Sequence, residues 1–452
     1  MSSLSPNRAS NLRDAYRICT PEPLVGEDID RYYVDLSAVR STRTIQNITA
    51  NLRLLDPGEY STLLFTGHRG CGKSTELRRI QKRLESEYYI IYLEADVELD
   101  LNDAEYTDLY LLIIKKIADE LYKVGAKFDS QLLNSFESWF KEITKETEQS
   151  VEQGISMQID AEAGFQIPFI SKLLAKILAQ IKGSQKQKQL IRQTLQKDIS
   201  RLQADINLLL DDAFIKLKNK APEYSKGFLI ILDNLDRIPP NVGNHLFFDY
   251  SAQLQSLHTT IIYTVPISTV YSDKNLSSSF GSPNIMPMVN FYEFELHNCD
   301  LAYKNDRLEA LATLVQQRVY IDSVFESREQ LLSLVKASGG HVRQLMQMTA
   351  RACLTAFGSD RNKVTAEDVT YAINEEQFNF ERINLDEYYP VLAKVCLTKN
   401  INKDEIGQLL LFNLSVLEYN GSNRWNYINP VLKSSSLFQE ALRNEQQRST
   451  NS

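Results

Sequence analysis

The sequence has few cysteines and no long apolar run, and each absence excludes a class of protein. Its five cysteines are widely spaced and form no CxxC pair, so the sequence predicts neither a disulfide framework nor a zinc site. No segment approaches the roughly 18 uninterrupted apolar residues that a membrane helix needs. Residues 1–16 are polar and lack the apolar stretch of a secretory signal. We therefore expect a cytoplasmic protein with no membrane span.

Positive charge is not in surplus either. Lysine and arginine number 50 against 58 aspartates and glutamates, which gives a net charge of −8. A chain this acidic is not a general nucleic-acid coat, although a local basic face would allow binding. We therefore favour a protein partner over a nucleic-acid partner. The length of 452 residues suggests about three domains.

A glycine-rich loop is the most informative feature that is present. It matches the phosphate-binding pattern G-x-x-x-x-G-K-[ST] and comprises Gly67, His68, Arg69, Gly70, Cys71, Gly72, Lys73 and Ser74, followed by Thr75. An apolar run at 62–66 predicts a strand before it, and residues 76–85 predict a helix after it. Glycines let main-chain N–H groups surround phosphates, and the helix N-terminus adds partial positive charge.

The residue types in this loop predict a site for ATP and Mg²⁺. Lys73 can reach the β- and γ-phosphates, and the Ser74 hydroxyl can bind Mg²⁺. A continuous apolar run at 227–232 predicts a strand buried on both faces, and it ends in Asp233. Asp233 is therefore the second candidate ligand for Mg²⁺. A glycine turn for the loop, and a helix cap for Asp233, are the plainer alternatives.

The residues after Asp233 bear on catalysis. Asn234 can orient a water molecule, but its amide cannot accept the proton, so we expect slow ATP hydrolysis. Asp236 is the nearest carboxylate that could act instead. An equally weighted alternative is that Asp236 is structural and pairs with Arg237.

Two further residues are candidates for contact with the nucleotide. Thr264 ends a predicted strand at 260–264, where it could sense the γ-phosphate or simply be a buried strand residue. Arg343 lies in the first turn of a helix that follows Ser338-Gly339-Gly340-His341. It could reach a phosphate across a domain boundary, or it could form a surface salt bridge.

The remaining pattern divides the chain into segments. We expect a flexible N-terminus at 1–24, a nucleotide-binding core at 25–125 and 227–300, a helical insertion at 126–226, a helical lid at 301–384, a winged-helix-like module at 385–443 and a disordered tail at 444–452. Further strands are predicted at 88–93, 156–160 and 291–296.

Within the insertion, helices are predicted at 128–147 and 187–218. An apolar stripe at 164–182 could bind a partner helix or a membrane surface, but packing on neighbouring helices of the same chain is the favoured interpretation. A basic run is interpreted as a solvated helix face and comprises Lys182, Lys186, Lys188, Arg192 and Lys197.

The C-terminal module is predicted to contain two helices and then a hairpin. The hairpin turns at Asn420-Gly421, between the strand-like segments 415–419 and 424–430. This order resembles a winged helix, on whose wing Arg424 and Trp425 could touch DNA. An intramolecular clamp or a protein interface is the favoured alternative, because the module carries little other basic character.

The order GHRGCGKST, LIILDNLDR, IIYTVP and SGGHVRQL resembles the AAA+/STAND group of P-loop NTPases, particularly origin-recognition-type and KAP-like members. The resemblance covers about residues 25–375 and implies a five-stranded parallel sheet between helices, followed by a helical lid. It implies that Lys73 and Ser74 bind phosphate and Mg²⁺, Asp233 is the Walker B residue, Thr264 is sensor 1 and Arg343 is sensor 2.

The sequence departs from this family at four points. Pro266 stands where STAND proteins often carry an arginine, and Val25-Gly26-Glu27 matches their entry motif only weakly. Asn234 replaces the usual acid, and the long insertion separates the two nucleotide motifs. No arginine finger can be assigned. The resemblance implies an ATP-driven molecular switch that oligomerises or controls an effector, as in bacterial defence systems. The alternative is an ATP-dependent DNA-binding loader or regulator.

Overall fold

The computed structural model describes residues 7–136, 169–183 and 185–450. Within them, one sheet of five parallel strands forms the centre of the fold, in the order β2-β3-β4-β1-β5. The strands are β1 (Thr62–Thr66), β2 (Tyr89–Glu94), β3 (Phe228–Asp233), β4 (Thr260–Val265) and β5 (Asn284–Ile285). Every residue of β3 and β4 is buried, because helices cover both faces of the sheet. The prediction of a five-stranded parallel sheet is confirmed.

The fifth strand is not the one that the sequence predicts. Residues 291–296 form no strand, and only an isolated bridge joins Tyr292 to Tyr303. Instead β5 has two residues, Asn284 and Ile285, which pair with Phe65 and Thr66 at the end of β1. A strand of two residues has no alternation that sequence analysis could detect.

Four helices precede β1 in the N-terminal segment, residues 12–54, and the first of them lies where the sequence predicts a flexible N-terminus at 1–24. They are α1 (Leu12–Ile18), α2 (Glu27–Tyr32), α3 (Ser37–Arg40) and α4 (Thr44–Leu54). The side chain of Asn11 caps α1, and Leu12 and Ala15 of that helix are buried in the core. The expectation of a flexible N-terminus is therefore wrong for residues 12–18.

Three helices follow β1 and β2 in the core, and they are α5 (Lys73–Leu84), α6 (Ala95–Glu98) and α7 (Tyr106–Lys123). The described part of the insertion is helical and contains α8 (Phe169–Gly183), α9 (Gln185–Lys197) and α10 (Ile199–Lys220). The predicted helix at 187–218 is thus divided between α9 and α10. Of the predicted helix at 128–147, residues 130–136 are helical, and the rest lies outside the described residues. The predicted strand at 156–160 also lies outside them.

The apolar stripe on α8 packs inside the protein, as predicted. Its buried members contact the core that also contains α7 and α10, and they are Ile170, Leu173, Leu174, Ile177, Leu178 and Ile181. The interpretation of the basic run as a solvated face is wrong for two of its members. Lys188 and Arg192 are buried against carboxylates near the start of α7.

The second half of the chain completes the core and adds a helical lid. The core helices are α11 (Pro240–Asn244), α12 (Ser251–Gln255), α13 (Ile267–Val270) and α14 (Leu276–Phe280). The lid helices are α15 (Asn305–Gln316), α16 (Ile321–Val324), α17 (Arg328–Ala337), α18 (Val342–Gly358) and α19 (Ala366–Ile383). Helix α1 packs against α18, so the N-terminal segment and the lid meet.

The C-terminal module contains α20 (Tyr389–Thr398), α21 (Glu405–Phe412), the antiparallel strands β6 (Val416–Tyr419) and β7 (Trp425–Ile428), and α22 (Ser436–Thr450). Because α22 continues to residue 450, the expectation of a disordered tail from residue 444 is wrong up to that point. Trp425 is 2% exposed and stacks on Tyr419, so it cannot reach a partner in this arrangement. None of the helices in the described ranges has the length and apolar character to cross a membrane.

Candidate nucleotide-binding site

The glycine-rich loop connects β1 to α5, which begins at Lys73. Gly70 and Gly72 have φ values of 77° and 107°, in the left-handed region that favours glycine. A Cβ atom on Gly70 would lie 2.7 Å from the imidazole of His341 at the start of the lid helix α18. The glycines therefore allow both the turn and the close approach of the lid.

Lys73 is buried, and its ammonium group contacts three oxygen atoms. Its Nζ donates to the carbonyl oxygens of Gly67 and His68 at 2.8 Å each, and it pairs with Asp236 Oδ2 at 2.7 Å. Burial by itself would lower the pKa of Lys73, but the Asp236 carboxylate reverses this effect and raises the pKa above its usual value. The alternative prediction, that Asp236 pairs with Arg237, is wrong. Asp236 pairs with Lys73, and Arg237 pairs with Asp96.

Asp233 is the last residue of β3 and has only 2% of its surface exposed. Its carboxylate accepts from the Tyr92 hydroxyl at 2.6 Å and from the Asn234 main-chain N–H at 2.8 Å. A carboxylate has about four acceptor positions, so two remain for a cation or its water ligands. The Asp233 carboxylate and the Ser74 hydroxyl are the kinds of oxygen that Mg²⁺ prefers, so these residues fit the ion.

The turn after β3 is held in one conformation. Asn234 has a left-handed backbone, with φ of 62°, and its Nδ2 donates to Asp96 Oδ1 at 2.8 Å. The Thr264 hydroxyl donates to Leu232 O and accepts from Leu235 N, both at 2.9 Å. Thr264 is therefore a buried strand residue that fixes this turn, and its proposed contact with a γ-phosphate stays a prediction.

A cleft opens above the loop. It brings together most of the predicted site residues, which are Arg69, Gly70, Cys71, Gly72, Lys73, Ser74, Thr75, Asn234, Asp236 and Arg343. Gly67, His68, Asp233 and Thr264 are not among the residues that line it. Eight lysines and arginines line the cleft against four carboxylates, and this surplus of positive charge suits a polyphosphate.

The N-terminal segment forms one wall of the cleft, which sequence analysis missed. Its lining residues include Leu24, Val34, Leu36 and Ile45, whose apolar side chains suit a nucleobase. Arg40 is 6% exposed and donates to Cys71 O at 2.6 Å and to Pro287 O at 2.9 Å, so it fixes the loop from this side. No motif marks these residues, since their contacts depend only on how the segment folds back.

The lid contacts the loop directly. The Arg343 main-chain N–H donates to Gly70 O at 3.1 Å, and Arg343 is among the residues that line the cleft. Its contact with a phosphate stays a prediction. His341 Nδ1 accepts from the Gln344 N–H, which leaves Nε2–H to donate to Arg69 O. Burial lowers the pKa of His341 to about 3, so its imidazole is neutral.

Comparison with known proteins places this site in a family context. Residues 42–252 match the KAP family P-loop domain, a range that contains both the glycine-rich loop and Asp233. Among curated proteins, no relative of the chain was found. The prediction of a P-loop NTPase is confirmed, and the chain is a P-loop NTPase with similarity to the KAP family.

Similar solved structures share little sequence with the chain. The ORC2 protein of Aeropyrum pernix, in its ADPNP-ADP complexes, is 14% identical with a TM-score of 0.39, and the alignment covers 96% of this chain and 98% of that chain. Cdc6p of Pyrobaculum aerophilum is 13% identical with a TM-score of 0.39, covering 95% and 98%. The Walker-type ATPase PABY2304 of Pyrococcus abyssi is 12% identical with a TM-score of 0.42, covering 94% and 99%.

Proposed function

We propose that this chain is an ATP-binding molecular switch that hydrolyses ATP slowly and controls its own assembly or a protein partner. The observation that carries the proposal is the state of Lys73. An ammonium group has three N–H donors, and those of Lys73 are directed to Gly67 O, His68 O and Asp236. Each bond from Lys73 to a phosphate oxygen must replace one of these. Bonds to both the β- and γ-phosphates would replace two of the three, so ATP binding has to release at least one carbonyl of the loop.

The residues of the cleft support a triphosphate as the ligand. Arg69, Lys73 and Arg343 line it together with main-chain N–H groups of the loop, and they would share the negative charge. When bound, Mg²⁺ would neutralise part of the phosphate charge, and the Ser74 hydroxyl and Asp233 carboxylate would hold it. The apolar wall from the N-terminal segment would contact the base.

Slow hydrolysis is proposed because no free carboxylate follows Asp233. The Asn234 amide is occupied by Asp96 and cannot accept a proton from water. Asp236 can orient water only after Lys73 has moved to the phosphates, since the two are paired. With slow hydrolysis, bound ATP would persist for longer than the binding step takes. A switch requires such a long-lived ATP-bound state.

The switch would act through the parts of the protein that contact the loop. Arg40 from the N-terminal segment, Arg343 from the lid and Glu418 from the C-terminal module each make a hydrogen bond with it. A change in the loop would thus alter the relative position of these parts. The resemblance to STAND proteins adds the proposal that the readout is assembly or an effector, in bacterial defence among other settings.

Calorimetry with Mg²⁺-ATP tests this proposal. The wild-type protein should bind, and Lys73→Ala should not. Lys73→Ala leaves the Asp236 carboxylate buried and unpaired, which could unfold the protein. The double variant Lys73→Met with Asp236→Asn removes both charges and so avoids this unpaired carboxylate. Lys82→Ala, an exposed lysine on the same helix, should bind like the wild type. Binding by the folded double variant at wild-type affinity would overturn the assignment.

The DNA-binding alternative needs a separate measurement. Arg424 has 45% of its side chain exposed at the hairpin and is the basic residue that could meet a duplex there. Fluorescence anisotropy with a labelled duplex, at about 50 and 200 mM salt, would detect phosphate contacts by their salt dependence. We expect no ATP-dependent binding. Binding that requires ATP and is lost in Arg424→Ala would replace the protein-partner proposal with the DNA loader.

A further inference from the structure

Two buried cysteines, Cys299 and Cys396, contact each other where the lid joins the rest of the chain. Cys299 lies just before the lid and is 6% exposed, and Cys396 is a fully buried residue of α20, just after the lid. The Cys396 thiol donates a hydrogen bond to the sulfur of Cys299, and both residues are free cysteines. Two sulfur atoms from the two ends of the lid are therefore neighbours.

Hydrogen bonds on either side of the sulfurs hold the two backbones together. Lys399 is 3% exposed, and its Nζ donates to Asn298 O at 2.7 Å and to Cys396 O. The His297 main-chain N–H donates to Leu397 O at 2.9 Å. Two cysteines can form a disulfide without backbone movement only when their backbones lie close together, and these bonds keep them close.

The surroundings favour the thiolate of Cys299. The hydrogen bond from Cys396 lowers the pKa of Cys299, and burial acts in the opposite direction. The ammonium groups of Lys399 and Lys433 lower this pKa further, so it lies below its ordinary value. Asp300 opposes the thiolate, but it is itself paired with Lys433 at 2.5 Å. Because the thiolate is the nucleophilic form, Cys299 is the more reactive of the two cysteines.

A second pair of buried cysteines has different surroundings. Cys19 lies at the end of α1 and Cys353 lies on α18, and these helices pack against each other. Burial raises the pKa of Cys19 to about 12, against the effect of Arg318, and it also raises the pKa of Cys353. Cys19 and Cys353 are thus expected to stay reduced under mild oxidation, and they serve as an internal reference.

We propose that Cys299 and Cys396 are a reversible oxidation site, at which a peroxide converts the two thiols into a disulfide that fastens both ends of the lid. The Cys299 thiolate first attacks a peroxide oxygen. An S–O bond forms, the O–O bond breaks, and the departing oxygen leaves as water with the proton that the Cys299 thiol had released. The product is a sulfenic acid on Cys299.

In the second step the Cys396 sulfur attacks the oxidised sulfur of Cys299. The S–S bond forms, the S–O bond breaks, and the thiol proton of Cys396 leaves with the oxygen as a second water. Two electrons thus pass from the sulfurs to one hydrogen peroxide molecule. Burial and the Cys299 thiolate raise the pKa of Cys396, and the first step removes that negative charge, so Cys396 becomes easier to deprotonate only when it is needed.

The disulfide would close a loop of the chain that contains all the lid helices, α15 to α19. A cross-link across a long loop restricts the unfolded chain and so favours the folded one. We therefore expect the oxidised protein to unfold at a higher urea concentration than the reduced protein. This expectation does not depend on nucleotide binding, so it stands or fails separately from the proposed function.

The first experiment oxidises the full chain with a small molar excess of hydrogen peroxide and maps its peptides by mass spectrometry. We expect a cross-linked peptide that joins Cys299 to Cys396, reduced Cys19 and Cys353, and loss of the cross-link in dithiothreitol. The urea midpoint should rise on oxidation and return on reduction. Oxidised protein that lacks this cross-link, or whose cross-link leaves the urea midpoint unchanged, would overturn the proposal.

Two variants test the order of the steps. In Cys396→Ala the second nucleophile is missing, so peroxide should leave a sulfenic acid on Cys299 that dimedone traps. In Cys299→Ala, dimedone should not label Cys396. Labelling of Cys396 in Cys299→Ala, with none of Cys299 in Cys396→Ala, would show that Cys299 is not the nucleophile.

A lysine variant tests why Cys299 reacts first. Lys433→Ala removes one of the two ammonium groups, so the alkylation of Cys299 by iodoacetamide at pH 7 should slow by about twofold or more. Lys403→Ala, at an exposed lysine of the same module, should react like the wild type. Equal rates in all three proteins would contradict the electrostatic activation of Cys299.

Discussion

The Lys73 ammonium and the Asp236 carboxylate lie 2.7 Å apart, with 5% and 6% of their side chains exposed. This buried ion pair joins the glycine-rich loop to the turn that follows β3. The two charges compensate each other where neither could be buried alone. A phosphate that takes the place of Asp236 at Lys73 would break this pair, and the consequences can be measured.

Asp236→Asn should destabilise the nucleotide-free protein and much less the ATP-bound one. Removing one member of a buried pair typically costs about 3–5 kcal/mol, because it leaves the other charge uncompensated. Phosphate would restore that compensation for Lys73. Urea unfolding with and without saturating Mg²⁺-ATP measures the loss of unfolding free energy in each state. Asp386→Asn, at an exposed carboxylate, is the control. An equal loss of stability in the two states would contradict this role of the pair.

Asn234→Glu alone should not accelerate hydrolysis, although it restores the acid that related ATPases carry. The new carboxylate would face Asp96, which now accepts from the Asn234 amide at 2.8 Å. It would also sit on a left-handed backbone, which disfavours residues other than glycine, asparagine and aspartate. Turnover should rise only when Asp96→Asn is added, as measured by phosphate release. A tenfold gain in the single variant would show that Asp96 exerts no such restraint.

Acid should destabilise the protein through two buried histidines. Burial lowers the pKa values of His68 and His341 to about 3, below the roughly 6.5 of an unfolded histidine. Between these values the unfolded chain binds protons that the folded chain does not, so stability is full above pH 6.5 and falls as the pH drops. Each histidine contributes about 1.4 kcal/mol per pH unit in that window.

The variant His341→Asn isolates one of these contributions. Asparagine can also cap α18, where His341 Nδ1 now accepts from Gln344 N at 3.0 Å, and it does not titrate. Between pH 6.5 and 5, the slope of the unfolding free energy against pH reflects how many more protons the unfolded chain binds than the folded chain. We expect this difference to decrease by about one proton in His341→Asn. The measurement is urea unfolding at several pH values. An unchanged slope would mean that His341 binds a proton equally in both states.

The insertion should be needed for stability through Arg192 on α9. Its guanidinium pairs with Asp108 of α7, and both residues are buried, at 7% and 2% exposure. Arg192→Ala would leave Asp108 uncompensated and should lower the unfolding free energy by about 3 kcal/mol. Lys186→Ala, at an exposed lysine of the same helix, should have no effect on urea unfolding. Equal stability of the two variants would show that the helices of the insertion dock without this pair.

The parts of the site that the sequence predicts are those built from neighbouring residues. The loop at 67–75, the strand before it and the helix after it form a continuous segment, so the spacing of glycines, Lys73 and Ser74 carries the geometry. The apolar run that ends in Asp233 likewise identifies a central strand, because a parallel strand buried on both faces needs no alternation. The hairpin around Asn420-Gly421 follows from local turn chemistry in the same way.

Only the tertiary structure decided which distant residues meet. Asp236 pairs with Lys73 rather than Arg237, Arg40 reaches the loop from the N-terminal segment, and Glu418 contacts His68 from 350 residues away. Each is a single ion pair or hydrogen bond that gains its strength from burial, and burial depends on how whole segments pack. Periodicity and motif spacing record the local backbone and the apolar faces, but they carry no information about which charged or polar groups those faces bring together.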